Sequence, residues 1–594
     1  MGFPGKDRSM DEKFTIFSFL TLLGGLAVFL FGMNTMGDAL ERCGGNKLKK
    51  ILEGVTQNPI KGLLLGLGVT AIIQSSSATT VMVVGFVNSG IMKLGQSISI
   101  IMGANIGTTV TAWLLSLTGI EGDNIIVQFL KPSSFSPVLA IIGIAMSMFS
   151  KKDRTRDLGN VMVGFAVLIV GMDMMSGSVE SLKNNEAFTQ LFTLFSNPVL
   201  GILTGAVLTA IIQSSSASVG ILQALSTTGS VTFGNAIPII LGQNIGTCVT
   251  ALLSSIGTTK NARRTAIVHL SFNIIGATVF AVAFYVFKAI FDFSFVENSI
   301  DAAGIAIVHS VFNITATVVM FPFIKQLEKL AYIIIPENNV KEKGNLLDER
   351  LLVTPPVALS HARNVTVEMA KISKNAITAS LDIMENFNAK LTNTIKDYES
   401  KADMYEDRLG DYLVKLCRES LSSADSREAS SLLHCIGDFE RISDHAVNIM
   451  EVSEELNDKG INFTPDAQRE IKVICNALRE IISITVDAFA DSDLEKAKSV
   501  EPLEETIDYL RTKLKEGHVS RLKDGECTIE TGFIFSDFLI NCERVADHCS
   551  NIAACMLETA HNSFEMHDYL SKIKDSGDND FIRQCEYYKQ KYAI

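Results

Sequence analysis

The chain repeats itself at a fixed spacing of 139 residues. Asn58-Pro59 through Ala71-Ile72-Ile73-Gln74-Ser75-Ser76-Ser77-Ala78 returns as Asn197-Pro198 through Ala210-Ile211-Ile212-Gln213-Ser214-Ser215-Ser216-Ala217. Downstream, Gly103-Ala104-Asn105-Ile106-Gly107-Thr108 returns as Gly242-Gln243-Asn244-Ile245-Gly246-Thr247; upstream, Gly32-Met33-Asn34 returns as Gly171-Met172-Asp173. Residues 24–117 therefore repeat as 163–256 without a gap. Three blocks in one register exclude coincidence, so any fold must accommodate two similarly built pieces.

The repeated region is apolar. Runs long enough to cross a bilayer as helices read at about 14–36, 97–117, 136–150, 158–179, 236–256, 265–289 and 303–323. The first run lacks a small-residue cleavage site and is expected to stay in the protein as a span. The Gln-Ser-Ser-Ser segments differ from these runs. Each has a short apolar arm, a polar cluster, and a second short arm ending near Gly90 or Gly229. Neither arm spans alone, which predicts a re-entrant hairpin whose non-helical tip is buried in protein or lines a wet cavity.

Basic residues orient the chain. Arg42, Lys47, Lys49, Lys50 and Lys61 fall in one loop; Lys151, Lys152, Arg154 and Arg156 in a second; Lys260, Arg263 and Arg264 in a third. The intervening loops are poorer in cations, and one holds Glu121 and Asp123. An excess of cations marks the cytoplasmic side. Three spans then separate the starts of the two repeats, which inverts the second copy. Seven spans would place the N-terminus outside and the C-terminal half inside.

Inverted repeats with broken helices suit a transporter. Helix N-termini offer backbone N–H groups to an anion. Serine hydroxyls donate to phosphate oxygens, and their oxygens, being acceptors, can ligate sodium; Gln74 and Gln213 can do both. Asn105 and Asn244 lie mid-span in Gly-rich segments, where unwound carbonyls would coordinate a cation. Close packing through small residues is the plainer reading of such segments. Asp173 is the one acidic residue inside an expected span, with ion coupling and a structural role equally open. His269 with Asn273, and His309 with Asn313, share a helix face; interhelix hydrogen bonding is the plain reading and proton coupling or substrate contact the sharper one.

Duplicated Gln-Ser-Ser-Ser blocks, each followed by Gly-x-Asn-Ile-Gly-Thr, resemble the sodium/phosphate cotransporter (type II) family across the whole membrane half. The resemblance implies sodium-driven symport of inorganic phosphate, with Gln74, Ser75, Ser76, Ser77, Gln213, Ser214, Ser215 and Ser216 contacting phosphate and sodium. Asn105, Thr108, Asn244 and Thr247 complete the candidate ion-binding set. The second tip departs from the first, with Ala217-Ser218-Val219 where the first has Ala78-Thr79-Thr80, one hydroxyl fewer.

Beyond residue 335 the composition changes. The first 335 residues carry 21 Lys and Arg against 17 Asp and Glu, net +4; the remainder carries 31 against 48, net −17. A sparsely charged half and an acidic half read as a membrane domain, 1–335, a linker, 336–356, a soluble domain, 357–565, and a loosely ordered polar tail, 566–594. The linker holds Lys341-Glu342-Lys343, Gly344 and Pro355-Pro356. No basic patch points to nucleic acid. The ten cysteines lack framework or zinc-finger spacing and read as free thiols in a reducing cytosol.

The soluble half is also duplicated. Asp438-Phe439-Glu440-Arg441-Ile442-Ser443-Asp444-His445 echoes Asn541-Cys542-Glu543-Arg544-Val545-Ala546-Asp547-His548. Upstream, Glu399, Asp403 and Glu406 echo Glu501, Glu505 and Asp508. Carboxylates four apart share a helix face, and a cluster of them either binds a hard cation or is solvated and paired with Arg441 and Arg544. These patterns resemble PhoU, a phosphate-signalling protein of two three-helix bundles. The resemblance implies a divalent or trivalent metal on Glu399, Asp403, Glu406, Glu440, Asp444, Glu501, Glu505, Asp508, Glu543 and Asp547, and control of phosphate uptake.

The expected architecture is all-α: a polytopic membrane domain with inverted repeats and two re-entrant hairpins, followed by a six-helix PhoU-like domain in the cytoplasm. The expected function is sodium-coupled phosphate symport across the plasma membrane. Partners are phosphate, sodium and the bilayer, with a homo-oligomer left open. No catalytic constellation is present, so an enzyme is not expected. A phosphate sensor without turnover, another oxyanion and the efflux direction are the competing readings.

Overall fold

The computed structural model describes residues 15–53, 58–119, 131–183, 188, 190, 194–291, 293–337, 346–561 and 579–594. Glu121, Asp123, Lys341-Glu342-Lys343 and Gly344 lie outside them, as do the side chains of Lys47, Lys49 and Lys50. The chain divides into two compact units, Met1–Val357 and Ala358–Ile594.

The described residues of the first unit are mostly helical: α1 (Ile16–Glu53), α2 (Pro59–Ile73), α3 (Ser76–Asn88), α4 (Leu94–Ser116), α5 (Pro132–Phe149), α6 (Asp153–Val179), α7 (Pro198–Ile212), α8 (Ser215–Ser226), α9 (Phe233–Gly246), α10 (Cys248–Ser254), α11 (Lys260–Phe291), α12 (Ala302–Met320) and α13 (Ile324–Ile334). Among the described residues, seven helices are long and apolar enough to cross a membrane, and they fall on the seven expected runs. The repeat is visible in the elements: α2, α3 and α4 correspond to α7, α8 and the α9–α10 pair.

Glycines explain how the arms pack. A Cβ at Gly66 would lie 1.9 Å from the carbonyl oxygen of Ile100, and one at Gly103 1.9 Å from that of Leu63. Their repeat mates behave alike: Gly205 would meet the Ile239 oxygen at 2.1 Å and Gly242 the Ile202 oxygen at 2.0 Å. Backbone thus touches backbone between α2 and α4, and between α7 and α9, as small residues allow in membrane helices. The same fact corrects one expectation. The helix α4 runs unbroken through Asn105, so no unwound carbonyls surround it. Only the second copy breaks, at Thr247 between α9 and α10.

The second unit holds α14 (Pro355–Glu385), which begins just before the boundary, α15 (Ala389–Leu416), α16 (Ser423–Lys459), α17 (Pro465–Asp491), the short α18 (Leu494–Lys498), α19 (Val500–Lys523), α20 (Ile529–His561) and α21 (Asn579–Lys591). Leaving α18 and α21 aside, these are three long helices followed by three. Phe439 of α16 meets Phe489 of α17 edge-on at 5.2 Å. Arg479 of α17 reaches Asp382 and Glu385 of α14 at 2.8 and 2.7 Å. Each bundle lends a histidine to the other: His548 Nδ1 bonds Asp438 Oδ1 and His445 Nδ1 bonds Asn541 Oδ1, both at 2.8 Å.

The described end of the tail departs from expectation. Residues 579–591 are helical rather than loosely ordered, with Tyr588 and Tyr592 buried and Lys591 on Glu480 at 2.7 Å. Two aromatics one turn apart supply enough apolar surface to dock a charged helix.

Candidate functional site

Each Gln-Ser-Ser-Ser block forms a break between two short helices. The arm α2 ends at Gln74, whose backbone is left-handed at φ 58°, and α7 ends at Gln213 at φ 59°. Apart from these two, only Ser492 among the described non-glycine residues has a positive φ. A left-handed glutamine is unfavourable and persists only where its surroundings over-determine it, a condition concentrated at functional sites.

The next residue starts the second arm. Ser75 Oγ accepts from the Ala78 amide at 3.1 Å, and Ser214 Oγ from the Ala217 amide at 3.2 Å. Each serine caps its helix, so its hydroxyl is spent on the backbone. The amides of Ser76 and Ser77, and of Ser215 and Ser216, then stand in the first turn, where the helix supplies no acceptor. Positive helix ends bearing serine hydroxyls are anion-binding in character.

Their surroundings differ. Around the first tip, Gln74 is buried; its Oε1 accepts from Thr111 Oγ1 at 3.0 Å and its Nε2 donates to the Ala71 carbonyl at 2.6 Å. Thr70 Oγ1 donates to Thr79 Oγ1 at 3.0 Å. At the second tip Gln213 is exposed, and the mates of that threonine pair, Thr209 and Ser218, have buried hydroxyls without a partner among the described residues.

The Gly-x-Asn-Ile-Gly-Thr residues sit beside the tips on α4 and α9–α10, with Asn105, Thr108, Asn244 and Thr247 all buried. Asn105 Nδ2 donates to Asn273 Oδ1 on α11 at 3.3 Å, while Asn244 Nδ2 turns back to the Ile240 carbonyl at 2.9 Å. Thr108 and Thr247 bond the carbonyls one turn earlier, Ala104 and Gln243, at 3.1 and 3.0 Å. Thr111 escapes sequence reading as a site partner, because an isolated threonine in an apolar helix carries no pattern; Asn273 is marked there only through its pairing with His269.

Three other groups of side chains lie apart from the tips' hydrogen bonds. Both ring nitrogens of His269 and of His309 lack a hydrogen-bond partner among the described residues, so the interhelix bond expected on the His269–Asn273 face is made by Asn273, with Asn105, and not by the histidine. Asp173 is exposed on α6. No arginine bonds to either tip among the described hydrogen bonds and ion pairs; the fully buried Arg264 is held instead by the Ile335 carbonyl, Asn261 and the Tyr332 ring.

In the second unit the two carboxylate sets are unequal. Burial and the neighbouring Asp444 push the Glu440 carboxyl up to about 7. Burial together with Asp407 and Asp403 raises Glu406, and Arg441 offsets both shifts only in part. Arg441 lies 3.5 Å from Glu440 and 3.6 Å from Asp444 and is largely exposed. Such charge crowding is what a hard cation would relieve, although among the described residues the carboxylates whose oxygens converge within 4.8 Å belong to the second set. Glu399 accepts from Ser400 Oγ, and Asp403 enters through its charge on Glu406.

In the second set Arg511 bonds Glu543 and stands 3.8 Å from Asp508, so a guanidinium already neutralises the group. Arg544 adds a contact to Asp547 at 3.4 Å. Glu501 and Glu505 gather instead with Glu504, with carboxylate oxygens within 4.8 Å of one another, and Glu501 accepts from Ser550. Asp508 belongs with Arg511 rather than with that trio, and Glu504 joins it although no motif marks it. Glu501, Glu504 and Glu505 fit a cation by donor chemistry; Glu543 and Asp508 do not while Arg511 holds them.

Comparison with known proteins accords with this geometry. The family described as Na+/Pi-cotransporter matches twice, over residues 28–177 and 167–305, and its two starting points differ by the repeat spacing. The PhoU domain family matches residues 366–453 and 471–556. YjbB of Escherichia coli O157:H7, provisionally named an inorganic phosphate export protein, is 23% identical over 549 residues, 91% of this chain and 97% of its own. Sodium-dependent phosphate transport protein 2A of Rattus norvegicus is 37% identical over 98 residues, 16% of this chain and 15% of its own. A crystal structure of PhoU from Pseudomonas aeruginosa aligns at 20% identity and TM-score 0.33, covering 34% of this chain and 98% of that one. The chain therefore joins two families: its N-terminal half belongs to the Na+/Pi-cotransporter family and its C-terminal half to the PhoU family.

Proposed function

We propose that the chain is a multi-pass membrane transporter that couples sodium to the movement of inorganic phosphate, with the PhoU half in the cytoplasm as its regulatory domain. The observation that carries this reading is the duplicated tip: a left-handed glutamine followed by a serine-capped helix N-terminus, built twice with φ 58° and 59°. Two inverted half-sites of this kind serve alternating access, whereas a sensor needs one site. Phosphate sits between the N–H groups and hydroxyls of Ser76, Ser77, Ser215 and Ser216. Without an arginine bonded at the tips, helix ends and co-bound sodium balance its charge. A metal on Glu406, Glu440 and Asp444 is the regulatory ligand of the PhoU half.

Export is the second reading, favoured by the name of the full-length relative YjbB. Radiolabelled phosphate flux in proteoliposomes of the purified chain, with sodium gradients imposed in each direction against potassium controls, tests both. Sodium-driven accumulation is expected. Flux indifferent to sodium would remove the coupling, and binding without flux would establish the sensor.

A further inference from the structure

The segment that leaves the membrane half is seated on the first hairpin. Residues 349–353 form a single 3-10 turn capped by Asp348, whose Oδ1 accepts from the Arg350 amide at 3.0 Å. Asp348 and Leu351 are 2% and 0% exposed. Asp348 Oδ2 accepts from Asn88 Nδ2, the last residue of α3, at 2.7 Å. Asn88 Oδ1 in turn accepts from the Thr259 amide, ahead of α11, at 2.8 Å. Arg350 bridges Asp348 to the Ile256 carbonyl at 3.2 Å. Leu351 fills the space over Gly85, where a Cβ would lie 2.9 Å from its Cδ2.

The seat exists in one repeat only. At the 139-residue spacing, Gly85 becomes Ala224 and Asn88 becomes Thr227. The second hairpin therefore has neither the gap for a leucine nor the amide for a carboxylate. Arm α3 is one short rigid helix, with this seat at its C-terminus and Ser75–Ser77 at its N-terminus. On the other side, the Thr354 amide donates to the Leu351 carbonyl at 2.9 Å and α14 begins at Pro355, so no slack separates the seated turn from α14.

We propose that residues 348–351 are a built-in ligand of the first hairpin, a plug whose seating fixes arm α3 and whose withdrawal, when the start of α14 moves, frees the first tip to rearrange. The consequence for flux rests on the transport reading above; the seating does not. A buried bond to a carboxylate and a buried leucine together hold the arm by more than the 1.4 kcal/mol that corresponds to tenfold.

Hydrogen exchange of the purified full chain tests the seating, comparing wild type with Asp348→Ala, Leu351→Ser and the milder Leu351→Ala. Amides of α3 should exchange about tenfold faster or more in the first two, and less so in the third, while α7 and α8 keep their wild-type rates. Unchanged α3 exchange overturns the plug, and so does equal acceleration in both repeats, because the seat belongs to one. Phosphate flux is read on the same preparations. Faster α3 exchange with unaltered flux overturns the regulatory part, whereas absence of flux in the wild type counts against the transport reading alone.

Discussion

The two tips share a backbone and differ in what holds it. Both end an arm in a left-handed glutamine and begin the next on a capping serine. Gln74 is clamped by Thr111, and Thr70 and Thr79 satisfy each other beside it. Gln213 is exposed, and Thr250, the mate of Thr111, spends its hydroxyl on the Thr247 carbonyl. Local sequence dictates the turn, and neighbours outside the motif dictate whether its side chain is fixed. The first tip is closed around its glutamine and the second is open, an asymmetry that the proposed alternating access would use.

The largest effect that sharpens this comparison is expected from the serines. Ser76→Ala and Ser215→Ala each remove a hydroxyl from a helix end facing the proposed ligand, and each should lower phosphate flux by about 100-fold or more, because the site's remaining polar groups are left unpaired. A loss confined to one tip, measured as initial flux in proteoliposomes, would break the equivalence of the two halves.

A smaller effect concerns the carboxylate sets, where the second unit repeats the same lesson. Glu440→Gln should lower metal affinity by about tenfold or more in a calorimetric titration, on the scale of losing one ligand or its support. Arg511→Ala should free Glu543 and Asp508 and so add a further, weaker site. Burial and the neighbouring Asp444 push the Glu440 carboxyl up from its ordinary 4.5 to about 7. The folded state then binds a proton the unfolded chain has lost, so stability falls as pH rises across that window. Metal must displace the same proton, so affinity rises across it. Affinity flat between pH 5 and about 7 would contradict this assignment.

The smallest effect separates the clamps. Thr111→Val leaves Gln74 Oε1 buried without a donor and should cost about 1–3 kcal/mol. Thr250→Val, at the mate position, should leave both stability and flux near wild type. Equal effects would mean that the clamp is not what distinguishes the tips.

The repeat spacing makes much of this legible. On its own it locates both breaks and the α4 and α9 partners, but it reads Ser75 and Ser214 as ligand contacts where each spends its hydroxyl capping the arm that follows. It does not reveal that Thr111 holds Gln74, since that bond joins residues 37 apart on separate helices. It misjudges the Asn105 segment because Gly103 and Gly107 look like breakers, yet serve as the face on which α2 lies against α4. It passes over Arg511, a single cation one turn from Asp508, because a guanidinium replacing a metal leaves no motif. The helix at 579–591 is hidden by charge, its two docking tyrosines being too few to register as periodicity.

The central claim is that the two tips hold one phosphate between them, and a double-mutant cycle tests it most directly. Phosphate dissociation constants would be measured by equilibrium binding with sodium present for wild type, Ser77→Ala, Ser216→Ala and the double variant, all verified as folded. One shared site predicts non-additive losses, with a coupling of about 0.5–3 kcal/mol between the two positions. Additive losses within about 0.5 kcal/mol would mean that the tips bind independently, and would contradict the account.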